Sequence, residues 1–248
     1  MKDKIDVSII QARMGSSRLP GKVLMKIGAK PILQWAAERV KKSLLVDKVI
    51  VATSDNKRDD AIEELCKRLG MDCFRGSEDD VLERYYRASK RYKANSIVRI
   101  TSDCPLVDPE IIDEIIRIHL KHKNDCTMND TENSYPRGLD VEIFNFKALE
   151  KAYLNAKKNY QREHVSPYIY EHPEVFKIER VEANGIFRRP AYRFCVDTKD
   201  DLELTRKIYA ILNNSKKPVN ARNIIKLLDS HPELAAFNSH IKQKILGE

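Results

Sequence analysis

The 248-residue sequence predicts a single large α/β domain built around a doubly wound, mostly parallel sheet. Short runs rich in β-branched residues alternate with segments of helical period along most of the chain. These runs are apolar on both faces, as in strands that are covered by helices on each side. The chain is 42% hydrophobic and can bury a sizeable core, while its 8 glycines and 10 prolines exclude a fibrous or low-complexity protein.

The first half of the chain alternates regularly, and local signals mark its boundaries. Gly70 follows the second helical segment and ends it, and Pro109 stands at a favourable first position of the fourth. The predicted strands are 7–11, 48–53, 71–74 and 96–101, and the predicted helices are 31–43, 58–69, 81–93 and 110–121.

The second half is less regular but still predicts both kinds of element. Thr198 precedes the strongest helix and Asp201 lies three residues later, an acidic form of the capping box. The chain then divides into a main domain, residues 1–212, and a small helical tail, residues 213–248. In the main domain we predict strands over 139–144, 175–183 and 192–196 and helices over 147–157, 162–170 and 200–212.

Composition narrows the class of protein. Lys and Arg exceed Asp and Glu by 45 to 37, an excess that suits an anionic ligand but does not by itself choose between nucleic acid and nucleotide. The five cysteines form no CxxC pair, which argues against a disulfide framework and a zinc site. No apolar stretch approaches the roughly 20 residues that span a bilayer, and the N-terminus lacks the pattern of a signal peptide. We therefore expect a cytoplasmic protein without a membrane partner.

A basic loop follows the first predicted strand, at the edge of the sheet where ligands of such folds bind. Arg13, Arg18 and Lys22 supply three positive charges, and Gly15 and Gly21 allow backbone amides to turn toward an anion. The glycine spacing matches neither a dinucleotide fingerprint nor a phosphate-binding G-x-x-x-x-G-K-[ST] loop. The loop predicts an anion site, and a basic surface loop without a ligand is the alternative.

Two aspartates complement the loop. Asp103 follows the strand 96–101, and Asp197 follows the predicted strand 192–196 just before a helix. Both carboxylates can thus reach the edge of the sheet that carries the basic loop. Magnesium takes one or two carboxylates and completes its octahedron with phosphate oxygens and water, so this combination predicts a magnesium–nucleotide site. The alternative is that Asp103 is a turn residue and Asp197 a residue favoured by the helix dipole.

The sequence resembles the cytidylyltransferases that make CMP-activated acidic sugars. Within them it is most similar to the branch named for the spore coat polysaccharide biosynthesis protein SpsF. Seven motifs recur in the order expected for that branch and span about residues 5 to 212. The motifs are Gln11–Lys22, Ala52–Asp55, Arg75–Arg84, Thr101–Pro109, Arg137–Glu142, Arg162–Val165 and Val196–Glu203.

The resemblance implies a Rossmann-like fold of the nucleotide-diphospho-sugar transferase type and a reaction. CMP would pass from CTP to a sugar of the acidic, 2-keto-acid type, with release of pyrophosphate, in the synthesis of a surface polysaccharide or glycan. It also implies a homodimer, in which about residues 125–145 contact the partner and the acceptor. Sialic acid and Kdo enzymes carry Pro where this chain has Gln11, which leaves the sugar open.

The resemblance also implies roles for single residues. The catalytic residues would be Arg13, Lys22, Asp103 and Asp197, and the last two would bind Mg²⁺. The nucleotide would contact Gln11, Ala12, Arg13, Gly15, Ser16, Arg18, Lys22, Ser54, Arg75 and Asp103. The acceptor sugar would contact Tyr135, Arg137, Asp140, Glu142, Glu163 and His164.

Two other functions remain open at this point. A nucleotidyltransferase that uses a sugar 1-phosphate or another NTP keeps the same fold. Its usual Pro-Lys lies further beyond the Arg-Leu than here, where only Pro20 and Gly21 separate Arg18-Leu19 from Lys22. A non-enzymatic nucleotide- or nucleic-acid-binding protein is the other possibility. No basic patch with interleaved aromatic residues supports nucleic-acid binding, so we expect none.

Overall fold

Seven strands form one central sheet in the computed structural model, which describes residues 5–129 and 134–243. The order across the sheet is β5-β4-β1-β6-β8-β7-β9, and a separate hairpin joins β2 to β3. The strands are β1 (Ile5–Gln11), β2 (Lys26–Ile27), β3 (Lys30–Pro31), β4 (Lys48–Ser54), β5 (Asp72–Gly76), β6 (Ala94–Thr101), β7 (Cys126–Met128), β8 (Glu142–Asn145) and β9 (Ile178–Arg180). β8 alone among these seven runs antiparallel to its neighbours, so the predicted doubly wound, mostly parallel α/β sheet is confirmed.

Helices cover the sheet on both faces. They are α1 (Ile32–Val40), α2 (Asp60–Arg68), α3 (Val81–Arg91), α4 (Pro109–His122), α5 (Phe146–Asn155), α6 (Asn159–His164), α7 (Pro167–Tyr170), α8 (Lys199–Asn214), α9 (Ala221–Ser230) and α10 (Pro232–Ala235). The expected capping box is present, because Thr198 and Asp201 exchange hydrogen bonds at the start of α8. No helix of the described residues is long and apolar enough to cross a membrane.

The two faces of the sheet bury two hydrophobic clusters, as strands apolar on both sides require. Ile10 belongs to the larger cluster, with residues of α1, α2, α4, α8 and α9. Its neighbour Ile9 points to the opposite face and packs with residues of α3 and α5. Ile224 and Leu228 of α9 are buried in the larger cluster, so this helix of the predicted tail shares the core of the main domain.

The register of the central strands aligns their carboxyl ends. Gln11, the last residue of β1, pairs with Ala52 of β4 and with Thr101 of β6. The loops that follow β1, β4 and β6 therefore leave the sheet side by side. This alignment brings together three of the segments that the sequence singled out for ligand binding.

The structure corrects several predicted elements of the second half. The segment 192–196 is extended but is not a strand of the sheet, because it makes one isolated bridge, between Arg193 and Arg137. Asp197 therefore follows an extended loop rather than a strand. The predicted strand 175–183 shortens to β9, and β7 was missed because three residues are too few for a pattern. The predicted helix 162–170 divides at Val165, which has a φ of 72°.

Candidate active site

Backbone hydrogen bonds hold the basic loop at both of its ends. Ala12 N donates to Ala52 O of β4 at 3.0 Å, and Gly21 N donates back to Met14 O at the same distance. Gly21 has a φ of 70°, a left-handed conformation that suits glycine, and it begins the short 3-10 helix that carries Lys22. The turn thus returns Lys22 to the carboxyl edge of the sheet.

Asp59, which the sequence analysis missed, fixes the loop from outside. Its side chain is fully buried, and Oδ1 accepts a 2.8 Å hydrogen bond from Met14 N. Oδ2 accepts from Ser54 Oγ at 2.5 Å at the end of β4. One carboxylate therefore ties the basic loop to the end of a second strand. The residue lies 45 positions from Met14, so no local spacing predicts the contact.

Lys22 joins the two predicted aspartates. Its Nζ lies 2.7 Å from Asp103 Oδ2 and 2.8 Å from Asp197 Oδ1, and Lys22 is only 8% exposed. Burial alone lowers the pKa of Lys22, but the charges of Asp103 and Asp197 raise it above its ordinary value. Burial likewise opposes ionisation of Asp103, yet the Lys22 ammonium holds the pKa of this carboxyl below its ordinary value. Lys22 and Asp103 therefore stabilise each other's charged forms.

Two arginines share the second oxygen of Asp197. Arg18 Nη2 lies 2.9 Å from Oδ2, and Arg193 Nη2 donates to the same atom. Asp201, 1% exposed, accepts from the backbone N–H of Asp197 at 2.9 Å and from Arg193 Nε at 3.1 Å. Asp197 is thus held by its side chain and its backbone. Arg193 and Asp201 are functional candidates that the sequence did not reveal.

A cavity of about 170 Å³ opens beside this cluster. Three arginines line it, together with carboxylates, two thiols and two uncharged polar side chains. The lining residues are Arg18, Arg99, Thr101, Asp103, Cys104, Arg137, Asp140, Glu142, Cys195, Asp197 and Gln243. Three residues of the predicted acceptor set, Arg137, Asp140 and Glu142, are among them. Arg99 and Gln243 were not predicted.

Gly138 brings the acceptor segment to the cavity. Its φ is 97°, and a Cβ at this position would lie 2.4 Å from the backbone N of Cys195. Only glycine allows the chain to pass so close. Phe194 N and Val196 N then donate to Arg137 O and Asp103 O, which joins three loops without a strand.

Glu142 and Arg99 form one wall of the cavity. Arg99 Nη1 lies 2.7 Å from Glu142 Oε1, and Arg99 Nε lies 3.3 Å from Oε1 of Gln11. Glu142 also accepts a hydrogen bond from the buried Ser166 Oγ. The predicted residues Gln11 and Glu142, at the ends of β1 and β8, are therefore connected through an arginine of β6.

The remaining predicted residues lie around this centre. Arg75 Nε donates to Ser54 O at 2.9 Å, so the two predicted nucleotide contacts are joined. Arg13 Nη2 lies 3.7 Å from Glu163 Oε1 across the exposed side of the loop. Half-burial lowers the pKa of His164. Tyr135 is instead buried in the larger core, where its ring stacks on Phe187 at 6.4 Å between centroids.

The carboxylates of Asp103 and Asp197 are close enough together to share one cation, as a magnesium site with two protein ligands requires. Asp103 and Asp197 already converge on one cation, the Lys22 ammonium, and two carboxylates are as many protein ligands as Mg²⁺ usually takes. No group of three or more Cys, His, Asp or Glu side chains in 5–129 and 134–243 is arranged to hold a metal. A magnesium ion here would thus need phosphate oxygens or water to complete its coordination.

A basic loop and paired carboxylates at the carboxyl edge of a mostly parallel sheet are the features that a nucleotidyltransferase site requires. Residues 7–226 match the family model described as cytidylyltransferase. The chain belongs to the cytidylyltransferase family, so the predicted cytidylyltransferase activity is confirmed.

Three similar proteins match almost the whole chain. An uncharacterized protein of Methanocaldococcus jannaschii is 46% identical over 98% of both chains. The spore coat polysaccharide biosynthesis protein SpsF of Bacillus subtilis is 37% identical over 92% of this chain and 95% of its own. A cytidylyltransferase structure from Leptospira borgpetersenii serovar Hardjo-bovis superimposes with a TM-score of 0.87 at 32% identity, covering 98% of this chain and all of that one. The predicted resemblance to the SpsF branch is therefore confirmed.

Proposed function

We propose that the protein transfers CMP from CTP to a hydroxyl group of an acidic, 2-keto-acid type sugar and releases pyrophosphate. One observation carries the proposal, namely that Lys22 joins Asp103 and Asp197 beside a cavity with three arginines. A triphosphate needs cations close to its oxygens, and an acidic acceptor needs a guanidinium for its carboxylate. Both kinds of group stand at one edge of the sheet.

On the nucleotide side, the loop from Ala12 to Lys22 would receive the triphosphate. Its amides lie at the end of β1, and Arg13, Arg18 and Lys22 supply positive charge. Cytidine would lie toward Ser54, which Arg75 holds at the end of β4.

The reaction itself needs positioning more than covalent catalysis. The acceptor oxygen attacks the α-phosphorus and forms a new P–O bond. The bond from this phosphorus to the oxygen bridging to the β-phosphate breaks, and pyrophosphate leaves with that electron pair. The hydroxyl proton passes to solvent or to a carboxylate of the site. Lys22 and Arg18 would offset the negative charge that accumulates on the leaving group.

Mg²⁺ is part of the proposal, with Asp103 and Asp197 as its ligands. When bound, the ion supplies a Lewis acid that neutralises phosphate charge. Lys22 would then exchange its carboxylate partners for phosphate oxygens.

On the acceptor side, Arg99 and Arg137 face the cavity next to Glu142 and Asp140. A guanidinium can bind a sugar carboxylate through two parallel hydrogen bonds, while the carboxylates suit sugar hydroxyl groups. The resemblance to enzymes of acidic sugars supports this choice of acceptor. The name of the spore coat relative supports a role in polysaccharide synthesis.

A panel of acceptors tests the proposal. Purified protein is incubated with Mg²⁺ and CTP plus acidic 2-keto sugars, neutral sugars or sugar 1-phosphates, and pyrophosphate is measured. We expect release with an acidic keto-sugar and CTP. Release with a sugar 1-phosphate, or with another NTP in preference to CTP, would contradict the proposal and favour the alternative substrates.

We further propose a homodimer whose contact includes the region 125–145. Residues 130–133 of this region lie outside the described residues. Light scattering should give about twice the 28.7 kDa of one chain. A strict monomer across micromolar concentrations that retains full activity would contradict the dimer.

A further inference from the structure

The chain beyond α10 returns to the active site. Ala236–Asn238 forms a short 3-10 helix that packs against α8, and Gln243 reaches the wall of the cavity. These residues lie after residue 226, where the match to the family model ends. The return therefore lies outside the part of the chain that the family model matches.

Asn238 contacts two groups that hold Asp197. It is 3% exposed, and its Nδ2 donates to Arg193 O at 3.1 Å and to Asp201 Oδ1 at 2.8 Å. A side-chain amide has two N–H donors on this nitrogen, so both are used. Asn238 thereby fixes the distance between the backbone of Arg193 and the carboxylate of Asp201.

Gln243 completes the environment of the Arg193 guanidinium. Its Oε1 accepts a 2.8 Å hydrogen bond from Nη1, while Nε donates to Asp201 and Nη2 to Asp197. Three acceptors on three nitrogens leave a guanidinium little freedom to rotate. The orientation of Arg193, and through it that of Asp197, thus depends on the tail.

We propose that Ala236–Gln243 is part of the active site and that Asn238 and Gln243 are positioning residues, which orient Asp197 through Arg193. The inference deepens the proposed function and rests on it. Partners of this kind behind a metal ligand typically contribute 10- to 100-fold to metal affinity or activity. A carboxylate that is free to turn loses part of its contribution to a bound magnesium nucleotide.

The test measures CTP binding by calorimetry, with and without Mg²⁺, on the full chain carrying Asn238→Ala or Gln243→Ala. We expect the gain in affinity that Mg²⁺ provides to fall at least 10-fold in both variants, while CTP binding without Mg²⁺ changes less than twofold. Ser239→Ala is the matched control, because Ser239 is exposed and its hydroxyl donates to Ala236 O within its own turn. It should bind like the wild type.

A double-mutant cycle separates positioning from general stability. If Asn238 acts through Arg193, Asn238→Ala combined with Arg193→Lys should lose little more than Arg193→Lys alone. The inference is wrong if the losses of CTP affinity in the two single variants add up in the double variant. It is also wrong if Mg²⁺ raises the CTP affinity of both tail variants as much as that of the wild type. If Asn238→Ala does not fold, Gln243→Ala decides, because Gln243 is exposed and its loss leaves no cavity in the core. Wild-type protein that binds no CTP at all would instead refute the proposed function.

Discussion

Lys22 Nζ lies 2.8 Å from Asp197 Oδ1 and so joins two residues that are 175 positions apart. The same ammonium also contacts Asp103, so it neutralises part of the charge of two converging carboxylates. The lysine is thus a stand-in for a cation that these carboxylates would otherwise attract.

Lys22→Ala should therefore make the stability of the protein depend on magnesium. Removal of one partner of a buried ion pair costs about 3–5 kcal/mol, because it leaves an uncompensated charge. We expect a lower melting temperature in chelator and a larger rise on adding MgCl₂ than in the wild type. Differential scanning fluorimetry measures both, with the exposed Lys26→Ala as control. Equal magnesium responses in Lys22→Ala and wild type would contradict the proposed metal site.

Asp103 and Asp197 should each be necessary for activity. Asp197→Asn keeps the shape of the side chain but removes the charge shared with Lys22, Arg18 and Arg193. We expect pyrophosphate release to fall at least ~100-fold, as on loss of a key electrostatic stabiliser. The double variant with Asp103→Asn should lose little more, since groups that act as a unit are not additive.

Asp200→Asn is the control for this experiment, because Asp200 is a half-exposed carboxylate in the first turn of α8, three residues after Asp197. It should retain normal turnover. A folded Asp197→Asn enzyme with near-normal turnover would mean that Asp197 only supports the start of α8.

Asp59→Ala should weaken nucleotide binding indirectly, because Asp59 acts on the basic loop and not on the nucleotide itself. The change leaves the Met14 N–H without its partner and frees the loop from the end of β4. The loss of such buried bonds costs about 1–3 kcal/mol, so we expect a lower denaturation midpoint and about 10-fold weaker CTP binding. Glu64→Ala, on the exposed side of α2, should change neither. An unchanged dissociation constant for CTP in Asp59→Ala would remove Asp59 from the site.

His119 should make the protein less stable at acidic pH. Burial lowers its pKa from 6.5 to about 4, and its Nδ1 lies 3.1 Å from Thr127 Oγ1. Above pH 6.5 the imidazole is neutral in both states. Between 6.5 and 4 the unfolded chain binds a proton that the folded chain does not, so the free energy of unfolding falls as the pH falls.

The expected loss is ~1.4 kcal/mol per pH unit, or about 3 kcal/mol over the whole window. Urea denaturation of wild type and His119→Gln between pH 7 and pH 4 measures it as the difference between the two curves. The exposed His231→Gln should keep the wild-type slope. Parallel curves for wild type and His119→Gln would show that His119 titrates normally.

The sequence predicted those parts of the molecule that depend on local pattern. The alternation of apolar runs identified the first four parallel strands of the sheet, and the spacing of Thr198 and Asp201 identified the start of α8. The strand predicted over 192–196 was wrong, because a composition rich in β-branched and aromatic residues does not show whether a partner strand is available. In the structure its neighbours are two loops, around Arg137 and Asp103.

The residues of the candidate site also divide into those that lie in a sequence motif and those that do not. The basic loop and the two aspartates carry signals in their own motifs, and the fold brings Lys22, Asp103 and Asp197 together. Arg193 lies in a segment without a motif, although it contacts Asp197 only four residues away. Asn238 also lies outside the motifs, and it reaches Asp201 only because the tail folds back on α8. Contacts of that kind depend on tertiary structure, which no local spacing encodes.

The proposed magnesium-dependent CTP site is tested by calorimetric titration of the wild-type protein with CTP, ATP, GTP and UTP, each with and without Mg²⁺. We expect CTP to bind more tightly than the other three nucleotides, and to bind tightly only when Mg²⁺ is present. Lys22→Ala should weaken this binding about 10- to 100-fold, since a lost charge-assisted contact costs ~1.5–3 kcal/mol. Equal binding of the four nucleotides, or CTP binding indifferent to both Mg²⁺ and Lys22, would contradict the proposed site.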